Sequence, residues 1–132
     1  MTGKEALKMA AGIVHETDCS IYEETAVIWL NVILAELFDV ANRRREADGG
    51  ETLRVVPQIT SLEEELPYDA ELTLRTIPKG LTARLFAEDC DPVQLAMYRQ
   101  DYQNAVAACD RAICRIEREG DENDAQLRSF GW

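Results

Sequence analysis

Apolar residues return along this chain at intervals of three and four, and the places where that rhythm stops divide it into four helical stretches. Thr2, followed three residues later by Glu5, has the form of a capping box, and Ala6, Met9, Ala10 and Ile13 make the apolar stripe of a short first helix. A second helix is expected from Ser20, whose hydroxyl is placed to cap it, to about Glu46. Glu23 and Glu24 suit its positive end, and Arg43, Arg44 and Arg45 suit its negative end. Its middle, AVIWLNVILAELF, is apolar nearly all round, as in a central pillar buried on most sides.

Gly49-Gly50 breaks this pattern, and the β-branched stretch ETLRVVPQIT with Pro57 inside it predicts an extended loop or short β-hairpin over 48–60. SLEEELPYDAEL reads as a capped turn entering a third helix from about Pro67 to Asp89, with Leu74, Ile77, Leu81 and Leu85 on one face. Pro78 and Gly80 are expected to kink that helix or split it. Asp91-Pro92 then starts a new one: the carboxylate accepts first-turn amide hydrogens, and proline sits where its missing N–H costs nothing. A connection of only Cys90 and Asp91 would force an antiparallel helical hairpin.

The fourth helix, Pro92 to about Glu119, has the cleanest period. Leu95, Tyr98, Tyr102, Ala105, Cys109, Ala112 and Ile116 alternate spacings of three and four, drawing a narrow seam for one partner helix. Leu81, Leu85, Leu95, Tyr98 and Tyr102 are the expected contacts of the hairpin. Residues 120–132, acidic and without period, are expected to form a flexible C-terminal tail beyond an all-α, four-helix bundle-like domain spanning 1–119. Phe130 and Trp132 end that tail as large apolar groups with no obvious core waiting for them, which fits anchors for a partner's pocket.

Composition narrows the functional classes. The 132 residues fit one domain, and 46% hydrophobic with 30% charged residues is a globular balance. A formal net charge of -11 argues against gripping nucleic acid or an anionic membrane, since both are held by Lys and Arg, yet it suits a wall that DNA must pass without sticking. The longest uncharged apolar run, Thr25 to Ala35, falls short of the ~20 residues of a membrane span. Cys19, Cys90, Cys109 and Cys114 lack Cys-x-x-Cys spacing, and the opening Met-Thr-Gly-Lys-Glu lacks a signal peptide's apolar run. Reduced, buried thiols and a soluble protein made in the cytoplasm are therefore expected.

No enzyme is expected, because a single histidine removes most acid, base and nucleophile sets. His15 and Cys19 lie four apart, but two ligands do not make a metal site. Glu63-Glu64-Glu65 points in three directions and reads as a solvated charge run. No cofactor or metal is expected.

The segments ITSLEEELPYDAEL, IPKGLTARLFAEDCDP and MYRQDYQNAV, with Trp29-Leu30-Asn31 in the long helix before them, resemble the small helical head-tail connector (adaptor) proteins of tailed bacteriophages. This chain carries Lys79 where that family commonly has tyrosine. The resemblance implies a virion protein of the phage neck that assembles as a ring, twelve-fold like the portal, and extends the DNA channel beneath it. It implies two docking partners: the portal, which the tail residues Arg128, Phe130 and Trp132 would reach, and the next tail or stopper protein, which loop residues Leu53, Arg54, Val55 and Val56 would meet. The rival reading is a small acidic helical regulator, antitoxin-like or DNA-mimicking, that occupies a basic protein partner.

Overall fold

The computed structural model describes residues 1–129, with side chains as far as residue 115. Among the described residues the chain forms α-helices and no strand: α1 (Gly3–Ile13), α2 (Glu23–Glu36), α3 (Phe38–Ala47), α4 (Ile77–Leu85) and α5 (Pro92–Ser129). The fold is all-α.

Thr2 caps α1, its hydroxyl accepting from Glu5 N at 3.2 Å. Two other first-turn amides go elsewhere: Gly3 N donates to Glu64 O at 3.2 Å and Lys4 N to Leu62 O at 2.9 Å, so the 62–64 segment finishes the cap. The buried face differs from the expected stripe. Leu7 and Ala11 join Ala6 and Ala10 in the core, while Met9 and Ile13 remain 42% and 39% exposed. The helix is rolled about its Ala6–Ala10 line because it packs against both α2 and α4.

α1 closes with His15 at φ 61, followed by Glu16 N donating to Ala11 O at 2.8 Å. This is the left-handed closure that glycine normally provides. His15→Gly should therefore stabilise the fold by about 0.5 to 1 kcal/mol after the added unfolded-state entropy is subtracted. A thermal midpoint that rises by a few degrees checks it.

The helix expected from Ser20 to Glu46 is two helices. Asp18 takes both Ser20 N at 3.0 Å and Ser20 Oγ at 2.7 Å, so the hydroxyl is spent on a preceding turn and α2 starts only at Glu23. The second interruption, at Leu37, has a cause far along the sequence. Tyr68 Oη donates to the carbonyl of Leu34, the acceptor that Phe38 N–H would use, and the ladder steps there. α2 is also no pillar: Ala26, Leu30, Ile33 and Leu34 are buried, but Ile28 and Val32 are 63% and 38% exposed.

The central element is α4, which touches α1, α2 and α5. Ile77, Pro78, Gly80, Leu81, Thr82, Ala83 and Leu85 are all buried. Its approach begins at Ala70, after Asp69 caps the turn by accepting from Leu72 N at 3.1 Å, rather than at Pro67. Leu72–Thr76 then forms a π turn. Pro78 has no N–H to offer Leu74 O, and the widened turn upstream absorbs that missing bond. The extra residue brings Leu72 into line with Ile77, Leu81 and Leu85 and leaves Leu74 51% exposed, which corrects the expected face.

α4 ends at Leu85, so the connection to α5 is the turn Phe86–Asp91 and not two residues. Asp91 Oδ1 accepts from Gln94 N at 2.8 Å, with Pro92 as the first helical residue. Along α5, Ala105, Cys109 and Ile113 are buried, and Leu95, Tyr98, Tyr102 and Ala112 are half-buried. α5 comes close to α4 at Gly80, where an added Cβ would lie 2.7 Å from Tyr102 Cε2. α5 does not stop near Glu119: it continues through Gly120 to Ser129. One glycine costs a helix interior about 1 kcal/mol without ending it, and the Glu, Ala, Gln, Leu and Arg that follow are good helix formers. The expected flexible tail is thus helical as far as Ser129.

Candidate functional site

Residues 48–60 form the extended loop of the two expected alternatives and no hairpin, a strap held by two asparagines. Asn42 accepts from Leu53 N at 2.8 Å and donates to Leu53 O at 3.0 Å. Asn31 does the same for Ile59, at 2.8 and 3.0 Å. Each amide imitates the edge of a neighbouring strand, giving an extended segment its missing partners without a sheet. Of the expected docking residues, Leu53 is half-buried against the core, Val56 is half-buried, and Arg54 and Val55 face solvent, with Val55 77% exposed. The strap presents only its middle.

A groove of about 710 Å³ runs between α2 and α5 with α4 as its floor. Trp29 stands on the α2 wall, Gly80, Ala83, Arg84 and Ala87 along the floor, and Arg99, Tyr102 and Val106 on the α5 wall. The Arg84 guanidinium sits 5.8 Å from the Trp29 ring centroid and 5.8 Å from that of Tyr102. Both of its terminal nitrogens bond the Glu36 carboxylate, Nη2 at 2.6 Å, in a bidentate pair. Burial, with Glu36 adding, pushes the Tyr102 phenol up to about 12. The middle of this groove is therefore a closed stack of cation and rings, already satisfied from within the chain.

The opposite side of α4 carries a second groove, of about 540 Å³, between the π turn and α5. Leu74, Arg75 and Lys79 line one wall and Asn104, Ala105, Ala108 and Ala112 the other. Glu71, also at this groove, is paired with Arg44 at 2.8 Å.

The arginine triplet is spent on internal bridges beyond its place at the end of α3. Arg43 pairs with Asp110 at 2.8 Å, Arg44 with Glu71 and Asp48, and Arg45 donates to the carbonyl of Pro67 at 3.3 Å. Glu63-Glu64-Glu65 is likewise more than a solvated run. Glu64 accepts from Thr60 N at 2.8 Å and Thr60 Oγ1 at 3.0 Å, which holds its carboxyl below the usual range. Cys19, Cys90, Cys109 and Cys114 are free, but only Cys109 is buried as expected: Cys19 and Cys90 are half-buried and Cys114 is exposed. Among the described residues no three His, Cys, Asp or Glu side chains gather as a metal site requires, and no helix is long and apolar enough to cross a membrane. The Arg128 side chain lies outside the described side chains, and Phe130 and Trp132 lie outside the described residues.

Two further phenols are raised to about 12: Tyr22 by its 2.7 Å bond to Asp89, and Tyr68 by burial. For an acid the raised folded value means the neutral form is favoured in the fold, so this contribution is complete below the unfolded value of about 10 and disappears as pH rises through about 12. Alkaline titration should show Tyr22, Tyr68 and Tyr102 ionising together with loss of helix in that window. Phenolate absorbance followed beside circular dichroism checks it.

Compared with known proteins, the chain matches no protein family, no curated protein and no solved structure.

Proposed function

We propose that this chain is a structural assembly protein, the head-tail connector of a tailed phage, acting as one bundle-like unit of a ring beneath the portal. The observation that carries this reading is the distribution of uncovered apolar side chains. Ile21 in the turn before α2, Ile28 and Val32 on α2, Val93 and Met97 on α5, and Val55 on the strap stand exposed on separate elements of an otherwise charged surface. Several such places on one small domain fit a protein that meets several neighbours at once. The resembling segments support it from the sequence side: ITSLEEELPYDAEL completes the cap of α1 and leads into the π turn, and IPKGLTARL is the central helix.

In this reading the strap, with Arg54 and Val55 outermost, docks the next tail or stopper component, and Arg128, Phe130 and Trp132 reach the portal. The net charge of -11 keeps DNA moving through the ring, because a carboxylate-rich wall repels phosphate. Co-expression with a tailed-phage portal protein tests the assignment. Retention of the chain on the portal, lost on truncation after Gln126, is the expected result. Retention of a basic DNA-binding protein, with none of the portal, would replace it with the acidic-regulator reading.

A further inference from the structure

We propose that copies of this chain join head to tail, the exposed face of α2 in one copy seating in the π-turn and α5 groove of the next. The inference rests on the ring reading and supplies the contact between its subunits.

The donor face is a row. On α2, Ile28 and Val32 are 63% and 38% exposed, and Thr25 and Ala35, also exposed, stand before and after them at alternating intervals of three and four; Ile21, 76% exposed in the 3-10 turn that leads into α2, extends the row. Exposed Glu24 and Asp39 flank the row. Its neighbours Trp29 and Glu36 are already engaged with Arg84, so the row has no partner within its own copy.

The acceptor groove matches it in shape and sign. Ala105, Ala108 and Ala112 line α5 there at intervals of three and four, and side chains this small let a second helix come close. Leu74, 51% exposed, gives the facing wall an apolar contact. The rim is cationic: Arg75 is exposed and reaches Glu71 only at 3.9 Å, and Lys79 forms no ion pair among the described residues. Glu71, the acid nearby, is neutralised by Arg44 at 2.8 Å. Two carboxylates beside an apolar row thus meet two cations beside an apolar groove.

Placement decides the symmetry. α2 packs on one flank of α4, and the groove opens on the other, between α4's approach and α5. Row and groove are different surfaces, so the contact is heterologous: each copy offers a free row and a free groove, and the series ends only by closing into a ring. The 14 residues of α2 span about 21 Å, too little to cover the ~800 Å² per partner of a standard interface, so one contact alone is weak.

Sedimentation of the full chain at low salt, up to about 1 mM, tests the proposal. The wild type should gain mass without stopping at a dimer. Ile28→Asp, which spoils the row, and Ala108→Arg, which blocks the groove, should each stay monomeric with unchanged circular dichroism. Their equimolar mixture retains one good row and one good groove and should give a dimer that grows no further. As a surface-only control, Arg75→Glu with Lys79→Glu should weaken association at least tenfold, and adding Glu24→Lys with Asp39→Lys should restore it. A wild type that stays monomeric, one that stops at a dimer, or a mixture that remains monomeric would overturn the inference. Self-association without any affinity for the portal removes the connector reading and leaves this contact standing. Portal rings that fill equally with Ile28→Asp do the reverse.

Discussion

Phe86→Ala should cost about 3 to 5 kcal/mol, a large part of the ~5 to 15 kcal/mol that holds a domain of this size together. Phe86 is 1% exposed and sits in the turn between α4 and α5, with its ring 4.8 Å from that of Tyr22 in an edge-on pair at 66°. It fastens the start of α2 to the point where the chain reverses. Removing it opens a cavity in the core cluster and frees the turn that orients α5. Tyr22→Phe keeps the ring pair and loses only the exposed bond to Asp89, so it should cost under about 1 kcal/mol. Denaturant unfolding of the two variants separates packing from hydrogen bonding at one site.

Asn31→Ala is the second large effect, and Asn42→Ala is its internal comparison. Both remove one donor and one acceptor from the strap, but the groups left behind differ in their access to water. Ile59 is 4% exposed, so its N–H and C=O remain buried without partners, and the expected cost is about 2 to 4 kcal/mol. Leu53 is half-buried, water replaces Asn42, and about 1 kcal/mol is expected. Hydrogen exchange should show strap amides losing protection around Ile59 in the first variant and around Leu53 in the second. Equal costs for the two would mean that the clamps do not act through burial.

What could be read from the sequence was what neighbours in the sequence decide. Thr2 caps α1, Asp91-Pro92 starts α5, and the α5 seam through Ala105 and Cys109 faces the core, because each depends on bonds or spacings within a few residues. What could not be read was set from a distance. Tyr68 steps the long helix at a residue 34 positions away, and Asn31 pins Ile59 across 28 positions. No local pattern distinguishes either asparagine from a solvated one. The π turn carried a readable signal in Pro78, but its consequence, the exchange of Leu72 for Leu74 in the core, follows from one added residue per turn. The exposure of Ile28 and Val32 ran against the period itself. A helix apolar on all sides reads as buried, and here one side stays uncovered, the side that the proposed subunit contact would fill.

The central claim, that this chain is a ring-forming connector, is tested most directly by the mass of the complex it forms with the portal. Purified chain is added in excess to assembled portal, and the complex is weighed intact. The account predicts one copy of this chain for every portal subunit, bound as a closed ring. No association, or saturation at fewer copies than portal subunits, would contradict it.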